Sequence, residues 1–152
     1  MTKTEAYKWS ANRVRAQVQR SVDVIATLAN TAAILKEYHP HFFWVGFYFV
    51  HDNKMILGPF QGPPACVQLT LDKGVCAASA TTQKTVIVPN VHEFPGHVAC
   101  DSRSNSEIVV PVFGQDGALK CVLDIDSERP NDFDTQDQEG LERIAALLAP
   151  LW

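Results

Sequence analysis

The stretch Phe42–Val50, FFWVGFYFV, decides the fold of this chain. Its dense aromatic and β-branched composition favours an extended strand. Successive side chains of a strand point to opposite faces of the sheet. One face carries Trp44, Gly46 and Tyr48, and the other carries Phe43, Val45, Phe47 and Phe49. One face must serve the core, and Trp44 and Tyr48, each with a polar atom, are candidates for either a core or a pocket wall.

Five further extended segments follow this strand, each bounded by turn residues rich in Gly, Pro, Asn and Asp. They are MILGPF (55–60), CVQLTL (66–71), TVIVPN (85–90), SEIVVPVF (106–113) and ALKCVLDID (118–126). Because most of the connections are short, the pattern predicts a mostly antiparallel sheet of six strands.

Helical patterns flank the strands at both ends of the chain. From Asp23 to Tyr38 apolar residues recur at helical spacing, at Ile25, Leu28, Ala29, Ala32 and Leu35. Residues 10–22 are also consistent with a helix, although polar residues occupy most of its faces. A further helix begins near Asp134 and ends before Pro150, and the Ala-rich segment 74–83 predicts a short helix between strands.

These elements predict one α+β domain over residues 1–152, in which residues 1–22 form a helical extension. Terminal helices cover one face of the antiparallel sheet, and a ligand pocket is expected on the other.

Composition narrows the class of protein and its compartment. The net charge of -4 argues against nucleic acid or an anionic membrane as a partner. Neither a signal-peptide pattern nor an apolar run of spanning length is seen, so we expect a cytoplasmic protein. In that compartment the four cysteines are expected to serve catalysis, metal binding or packing rather than a structural disulfide framework. The sequence does not set the oligomeric state, and a homodimer is one of the options.

Three of the four cysteines lie near turns, a helix start or a long loop. Cys66 follows a turn, Cys76 opens the short helix, and Cys100 lies in the polar segment 90–105, NVHEFPGHVACDSRSN. Loops of this length in compact domains usually serve function. His97 and Arg103 flank Cys100 and could favour its thiolate, although an incidental loop cysteine is an equally good interpretation of this local pattern. Cys121, inside an apolar strand, is expected to be a core residue.

A zinc site is the main alternative for these residues. Cys76, His92, His97 and Cys100 are ligands of suitable type. Structural zinc sites usually present tight pairs such as C-x2-C, and this chain has no C-x2-C pair. The sequence therefore predicts no metal.

Three carboxylates form a second group of candidate functional residues. Asp124 and Asp126, two positions apart in a strand, share one face, while Leu123 and Ile125 point to the other. Together with Glu107 they would form either a solvent-exposed strand end or a polar pocket that receives an ammonium group or supplies a proton.

These motifs resemble the free methionine-(R)-sulfoxide reductase family, whose members are single GAF domains. The resemblance extends from about Asp23 to Leu148. It rests on WVGFY (44–48), LGPFQGPPACV (57–67), GVC (74–76), HEFPGHVACDSRSNSEIVVPV (92–112) and VLDIDS (122–127). Two positions depart from the family pattern: Ala77 and Cys121 stand where glycine is expected.

The resemblance implies a role for each candidate residue. Cys100 would be the nucleophile, Cys66 the cysteine that forms a disulfide with it, and Cys76 an auxiliary thiol. The substrate site would comprise Trp44, Tyr48, Glu107, Asp124 and Asp126. The implied reaction reduces free methionine-(R)-sulfoxide through a sulfenic acid and a disulfide, with no bound cofactor and with thioredoxin, itself reduced by NADPH, as external reductant. The alternative from another class is a GAF domain that only senses a small ligand, although such sensors usually carry an output domain.

Overall fold

The computed structural model describes all 152 residues. Its centre is one six-stranded sheet with the spatial order β3, β2, β1, β6, β5, β4, in which every neighbouring pair is antiparallel. The strands are β1 (Trp44–His51), β2 (Lys54–Gln61), β3 (Gln68–Thr70), β4 (Val86–Val88), β5 (Ser106–Phe113) and β6 (Leu119–Ser127). The predicted α+β fold and the six strands are confirmed.

Four helices accompany the sheet. They are α1 (Lys3–Gln19), α2 (Val24–Tyr38), α3 (Val75–Thr82) and α4 (Thr135–Leu147). Asp23 and Asp134 cap α2 and α4 by accepting hydrogen bonds from backbone N–H groups of the first helical turn. None of the four helices combines the length and the apolar character needed to cross a lipid bilayer.

The N-terminal helix differs from the sequence-based prediction, which placed it at residues 10–22. It begins at Lys3 because Thr2 and Glu5 form a capping box, and it ends at Gln19. Capping groups, rather than the weak apolar periodicity, therefore set its boundaries.

The buried face of α2 carries Leu28, Ala32 and Leu35 as predicted, but two of the predicted positions are exposed. Ile25 is 53% exposed, and Ala29 is exposed, whereas Thr27 and Thr31 are buried. Both threonine hydroxyls donate to the carbonyl four residues earlier, at 2.9 and 2.8 Å, so that no hydroxyl is left unpaired in the core. Apolar periodicity alone overlooks threonine as a core residue.

The sheet separates two apolar layers. On one face, α1, α2 and α4 pack against strand residues that include Val45, Phe47, Leu123 and Ile125, and the fully buried Cys121 lies in this layer as predicted. On the other face, α3 and the loops pack against Trp44, Tyr48, Val109 and Val122. The alternation of Asp124 with Leu123 and Ile125 is thus confirmed.

Phe43 is an exception to the predicted alternation. It packs in the same layer as Trp44 and Tyr48 and lines the pocket, although the sequence placed it on the opposite face. The reason is that β1 begins only at Trp44, so the pleat of the strand does not orient Phe43.

Candidate active site

A pocket opens on the sheet face that the terminal helices leave uncovered. Its empty space, including the open mouth, amounts to about 630 Å³, a size that suits a small-molecule ligand. The sheet forms its floor, and α3, the loop 62–67 and the loop 90–105 form its walls. Seven of the eight predicted site residues line it, and these are Trp44, Tyr48, Cys76, Cys100, Glu107, Asp124 and Asp126.

The register of the central strands explains why the floor residues meet. Trp44 on β1 lies opposite Asp126 on β6, which in turn lies opposite Glu107 on β5. Asp124 occupies the next row on the same face, opposite Gly46. Since paired residues of adjacent antiparallel strands point to the same face, three sequence-distant segments deliver their polar groups to one floor.

The aromatic wall is built from Trp44 and Tyr48. Their ring centroids are 6.0 Å apart, and Phe60 stacks on Trp44 at 5.3 Å. Gly46 makes this stacking possible, since a Cβ at that position would lie 2.4 Å from the Cβ of Phe60.

The same aromatic residues hold the loop that carries Cys66. The indole N–H of Trp44 donates to the carbonyl oxygen of Pro63 at 3.0 Å, and the hydroxyl of Tyr48 donates to that of Cys66 at 2.8 Å. The pocket wall therefore also positions a cysteine.

A disulfide joins Cys66 to Cys100 at the edge of the pocket, with a Cα–Cα distance of 5.4 Å. This is the pairing that the family resemblance implied. Cys100 is exposed and lines the pocket, whereas Cys66 is half-buried and lies outside the lining. The bond is thus accessible to solvent on one side and adjacent to a small-molecule pocket on the other.

The two remaining cysteines carry free thiols in different layers. Cys76 lies at the start of α3 and faces the pocket, where burial and then the charge of Asp124 raise its pKa well above the ordinary value. Cys121 lies in the opposite layer, where burial raises its pKa as well. Neither environment favours a thiolate, so the reactive thiol must be sought at Cys66 or Cys100.

The three floor carboxylates hold protons more strongly than exposed acids do. Burial raises the pKa of Glu107 and of Asp126, and the charge of Asp124 raises both further. Burial also raises the pKa of Asp124. No lysine or arginine forms an ion pair with any of the three. The floor can therefore donate a proton or accept a cationic ligand.

The residues flanking Cys100 do not act as the sequence suggested. Arg103 is engaged by Asp101, with its guanidinium 2.7 Å from the carboxylate, and it lies 4.8 Å over the ring of Phe43. Burial lowers the pKa of His97, which makes its imidazole mainly neutral near pH 7. Neither residue supplies a free positive charge to the Cys100 sulfur.

The zinc ligand set weighed from the sequence is not assembled either. Cys100 is bonded to Cys66, and Nε2 of His92 lies 2.9 Å from the side-chain oxygen of Asn105.

Sequence reasoning missed several residues of the site. Asp101 and Ser104 line the pocket from the Cys100 loop, where the Arg103 side chain and backbone N–H donate to Asp101 and lower its pKa to about 2. Lys73 and Val98 contribute from the loops, and Phe43 from the residue before β1. Proximity to Cys100 in the long loop was the one signal that could have identified Asp101 and Ser104.

Comparison with known proteins identifies the family to which this fold belongs. A family model described as GAF domain matches residues 19–151. The fold and the pocket thus define a GAF domain that carries a disulfide at the edge of its ligand pocket.

Relatives with more specific names match nearly the whole chain. The free methionine-R-sulfoxide reductase of Escherichia coli is 40% identical, and the match covers 97% of this chain and 89% of that protein. The X-ray structure of free methionine-R-sulfoxide reductase from Neisseria meningitidis in complex with its substrate superposes with a TM-score of 0.93 at 41% identity, covering 98% of this chain and 89% of that one. A structure described as a GAF sensor protein from Burkholderia vietnamiensis superposes with a TM-score of 0.94 at 42% identity. This match covers 99% of this chain and 95% of that one. The chain belongs to the free methionine-R-sulfoxide reductase family of GAF domains.

Proposed function

We propose that this protein reduces free methionine-(R)-sulfoxide to methionine. The observation that carries the proposal is the Cys66–Cys100 disulfide at the edge of a pocket with an acidic floor and an aromatic wall. A thiol pair in that position can accept an oxygen atom from a small substrate and be recycled from the solvent side.

The pocket chemistry matches the parts of a free amino acid. The floor carboxylates Glu107, Asp124 and Asp126 receive the α-ammonium group, and the rings of Trp44 and Tyr48 contact the S-methyl group. A peptide-bound methionine sulfoxide has no ammonium group to offer, and its chain would have to enter among buried acids. Burial of an unpaired carboxylate is costly, so the pocket discriminates against peptides.

The reaction proceeds in two steps. The Cys100 thiolate attacks the sulfur atom of the sulfoxide while a floor carboxyl, Glu107 or Asp126, protonates the sulfoxide oxygen. Methionine leaves and the oxygen remains on Cys100 as a sulfenic acid. The Cys66 thiol then attacks the Cys100 sulfur, which forms the disulfide and releases water. Two thiols are oxidised and one sulfoxide is reduced.

An external dithiol must restore the enzyme, because reduction of the Cys66–Cys100 disulfide takes two electrons and a single internal thiol such as Cys76 can only exchange with that bond. Thioredoxin, reduced by NADPH, is the proposed reductant, and the exposed Cys100 side of the disulfide is where it would act. A reducing cytoplasm is the matching compartment. The proposed single domain spans residues 1–152 and supplies the pocket groups that the proposed reaction uses.

One coupled assay tests the proposal. Thioredoxin, its reductase and NADPH are supplied, and NADPH loss is compared with free R-sulfoxide, free S-sulfoxide and a peptide-bound sulfoxide. Turnover with free R-sulfoxide alone is expected. Binding of the R-sulfoxide without any turnover would instead indicate a non-catalytic GAF sensor.

A further inference from the structure

A second group of potential ligand atoms lies in the pocket beside the proposed reactive pair. The sulfur of Cys76 and a carboxylate oxygen from each of Glu107 and Asp124 all lie within 4.8 Å of one another. All three residues are buried, at 5%, 6% and 6% exposure. The three converge from α3, β5 and β6 on one point of the floor.

One acceptor atom of this group is unsatisfied. The Oδ1 atom of Asp124 is the one buried side-chain oxygen of the molecule that has no hydrogen-bond partner. A buried carboxylate oxygen without a partner is destabilising unless a donor or a cation satisfies it. The one lysine or arginine of the pocket lining, Lys73, is an exposed residue and forms no ion pair with the floor.

Cys76 has no part in the two-step reaction proposed above, because Cys66 and Cys100 pair with each other. Its thiol nevertheless points into the pocket rather than into the opposite core, where Cys121 lies. A thiol and two carboxylates converging at one point are a recognised donor set for a borderline-soft divalent ion.

We propose that Cys76, Glu107 and Asp124 form an inhibitory binding site for a thiophilic divalent cation of the Zn²⁺ class. The ion takes one thiolate and two carboxylate ligands and retains solvent at its open position, and binding releases the thiol proton. Because the same carboxylates receive the substrate ammonium group, the ion and methionine exclude each other; this part of the inference rests on the proposed function.

The test uses the full chain in its disulfide form. In that form Cys66 and Cys100 cannot bind metal, so that Cys76 is the single thiol of the pocket. Cd²⁺ is the probe, because a bound thiolate gives a ligand-to-metal charge-transfer absorption in the ultraviolet. One equivalent of Cd²⁺ is expected to produce this band, and calorimetry with Zn²⁺ should give the same stoichiometry.

Matched variants separate this site from adventitious binding. Cys76→Ser should abolish the band, and Asp124→Asn should weaken Cd²⁺ binding by about 10-fold or more. Cys121→Ala removes the other free thiol and should leave the band unchanged. Glu107→Gln is a second ligand variant, and circular dichroism of each protein verifies that it is folded.

Free methionine tests whether the ion and the amino acid compete for the same carboxylates. Adding it should reduce the apparent Cd²⁺ affinity of the disulfide form in proportion to methionine occupancy. A band that persists in Cys76→Ser, or no band in the wild-type protein, overturns the metal site. A band that methionine does not affect overturns the overlap. Since the metal titration requires no turnover, its failure is distinguishable from a failure of the reductase activity, which the NADPH assay measures separately.

Discussion

Cys66, Cys76 and Cys100 lie around one pocket but in three environments. Cys100 is exposed on the long loop, Cys66 is half-buried behind it, and Cys76 is buried with a raised pKa. Nucleophilic attack needs a thiolate and access, and burial works against both at Cys76. The environments therefore support the proposed order of the cysteines, with Cys100 first and Cys66 second.

The cysteine roles predict different failures for two variants. Cys100→Ser should abolish methionine formation even in a single turnover, because no thiolate remains to accept the oxygen. Cys66→Ser should yield about one methionine per enzyme and then stop with thioredoxin as reductant, because the sulfenic acid has no partner. Methionine yield per enzyme under single- and multiple-turnover conditions is the measurement. A Cys100→Ser protein with full activity would refute the assignment.

Tyr48 links the aromatic wall of the pocket to Cys66. Its hydroxyl holds the carbonyl of Cys66, and Tyr48→Phe keeps the ring while removing that hydrogen bond, which is worth about 1 kcal/mol. We expect single-turnover methionine release near the wild-type rate and disulfide formation slower by roughly 5-fold. Quenched-flow thiol counting measures the second step. Equal slowing of both steps would show that the hydroxyl acts on the substrate instead.

Burial of Glu107 makes the free energy of unfolding depend on pH. Its folded pKa is raised by burial above the unfolded value, so the folded state binds more protons and the free energy of unfolding falls as pH rises through the folded pKa. Glu107→Gln removes this loss. We expect the variant to match the wild type near pH 5, to exceed it by about 1 kcal/mol at pH 8, and to lose activity.

Urea unfolding at both pH values tests this expectation. Glu139→Gln, which changes an exposed acid on α4 and retains Glu107, is the matched control and should follow the wild-type stability at both pH values. A Glu107→Gln protein less stable than wild type at pH 8 would contradict the sign of the effect.

At the scale of elements, α1 is attached to α4 by one buried network. Asp137 on α4 is fully buried and accepts from the Tyr7 hydroxyl at 2.7 Å and from Lys3 at 2.8 Å. Gly140 lies one turn further along α4 and lets the Tyr7 ring approach its backbone. The N-terminal helix is thereby held on the sheet face opposite the pocket.

This contact reverses the usual effect of a helical glycine. Ala normally stabilises a helix interior by about 1 kcal/mol relative to Gly. At Gly140, however, a Cβ would lie 2.4 Å from the Tyr7 ring, so Gly140→Ala should destabilise the protein by roughly 1–3 kcal/mol. Urea unfolding measures the change, with Glu139→Ala as the exposed control. A stabilised Gly140→Ala protein would show that α1 is not packed as described.

At the scale of the whole molecule, stability against acid depends on a buried imidazole. His39 is 1% exposed, lies between the rings of Tyr7 and Phe42, and has a pKa that burial lowers to about 4. The unfolded chain therefore binds an extra proton between pH 6.5 and 4, and the free energy of unfolding falls as the pH is lowered through this range. At about 1.4 kcal/mol per pKa unit, the loss approaches 3 kcal/mol.

His39→Phe isolates this contribution. The variant is expected to gain stability relative to the wild type, by about 3 kcal/mol, as the pH falls from 7 to 4. His51→Gln, at the exposed end of β1, is the control and should follow the wild-type curve. Parallel pH curves for His39→Phe and the wild type would contradict a buried neutral imidazole.

Local patterns in the sequence determined the elements and most of the faces. Strand alternation put Asp124 on one face and Leu123 on the other, and it put Trp44 and Tyr48 together, because a side-chain period of two is a property of each strand. The predicted face was wrong for Phe43, which precedes the first residue of β1. The predicted core of α2 was incomplete because buried threonines occupy positions where apolar residues were expected.

Only the tertiary structure decided what each group experiences. Strand register brought Glu107 beside Asp126, and the packing of α3 on the sheet placed Cys76 against Asp124. Burial then raised the pKa values of all four side chains. Arg103, by contrast, pairs locally with Asp101, two residues earlier in the same loop, so its charge is not free to act on Cys100. Burial and long-range proximity depend on how distant segments pack, and no local period of the sequence encodes them.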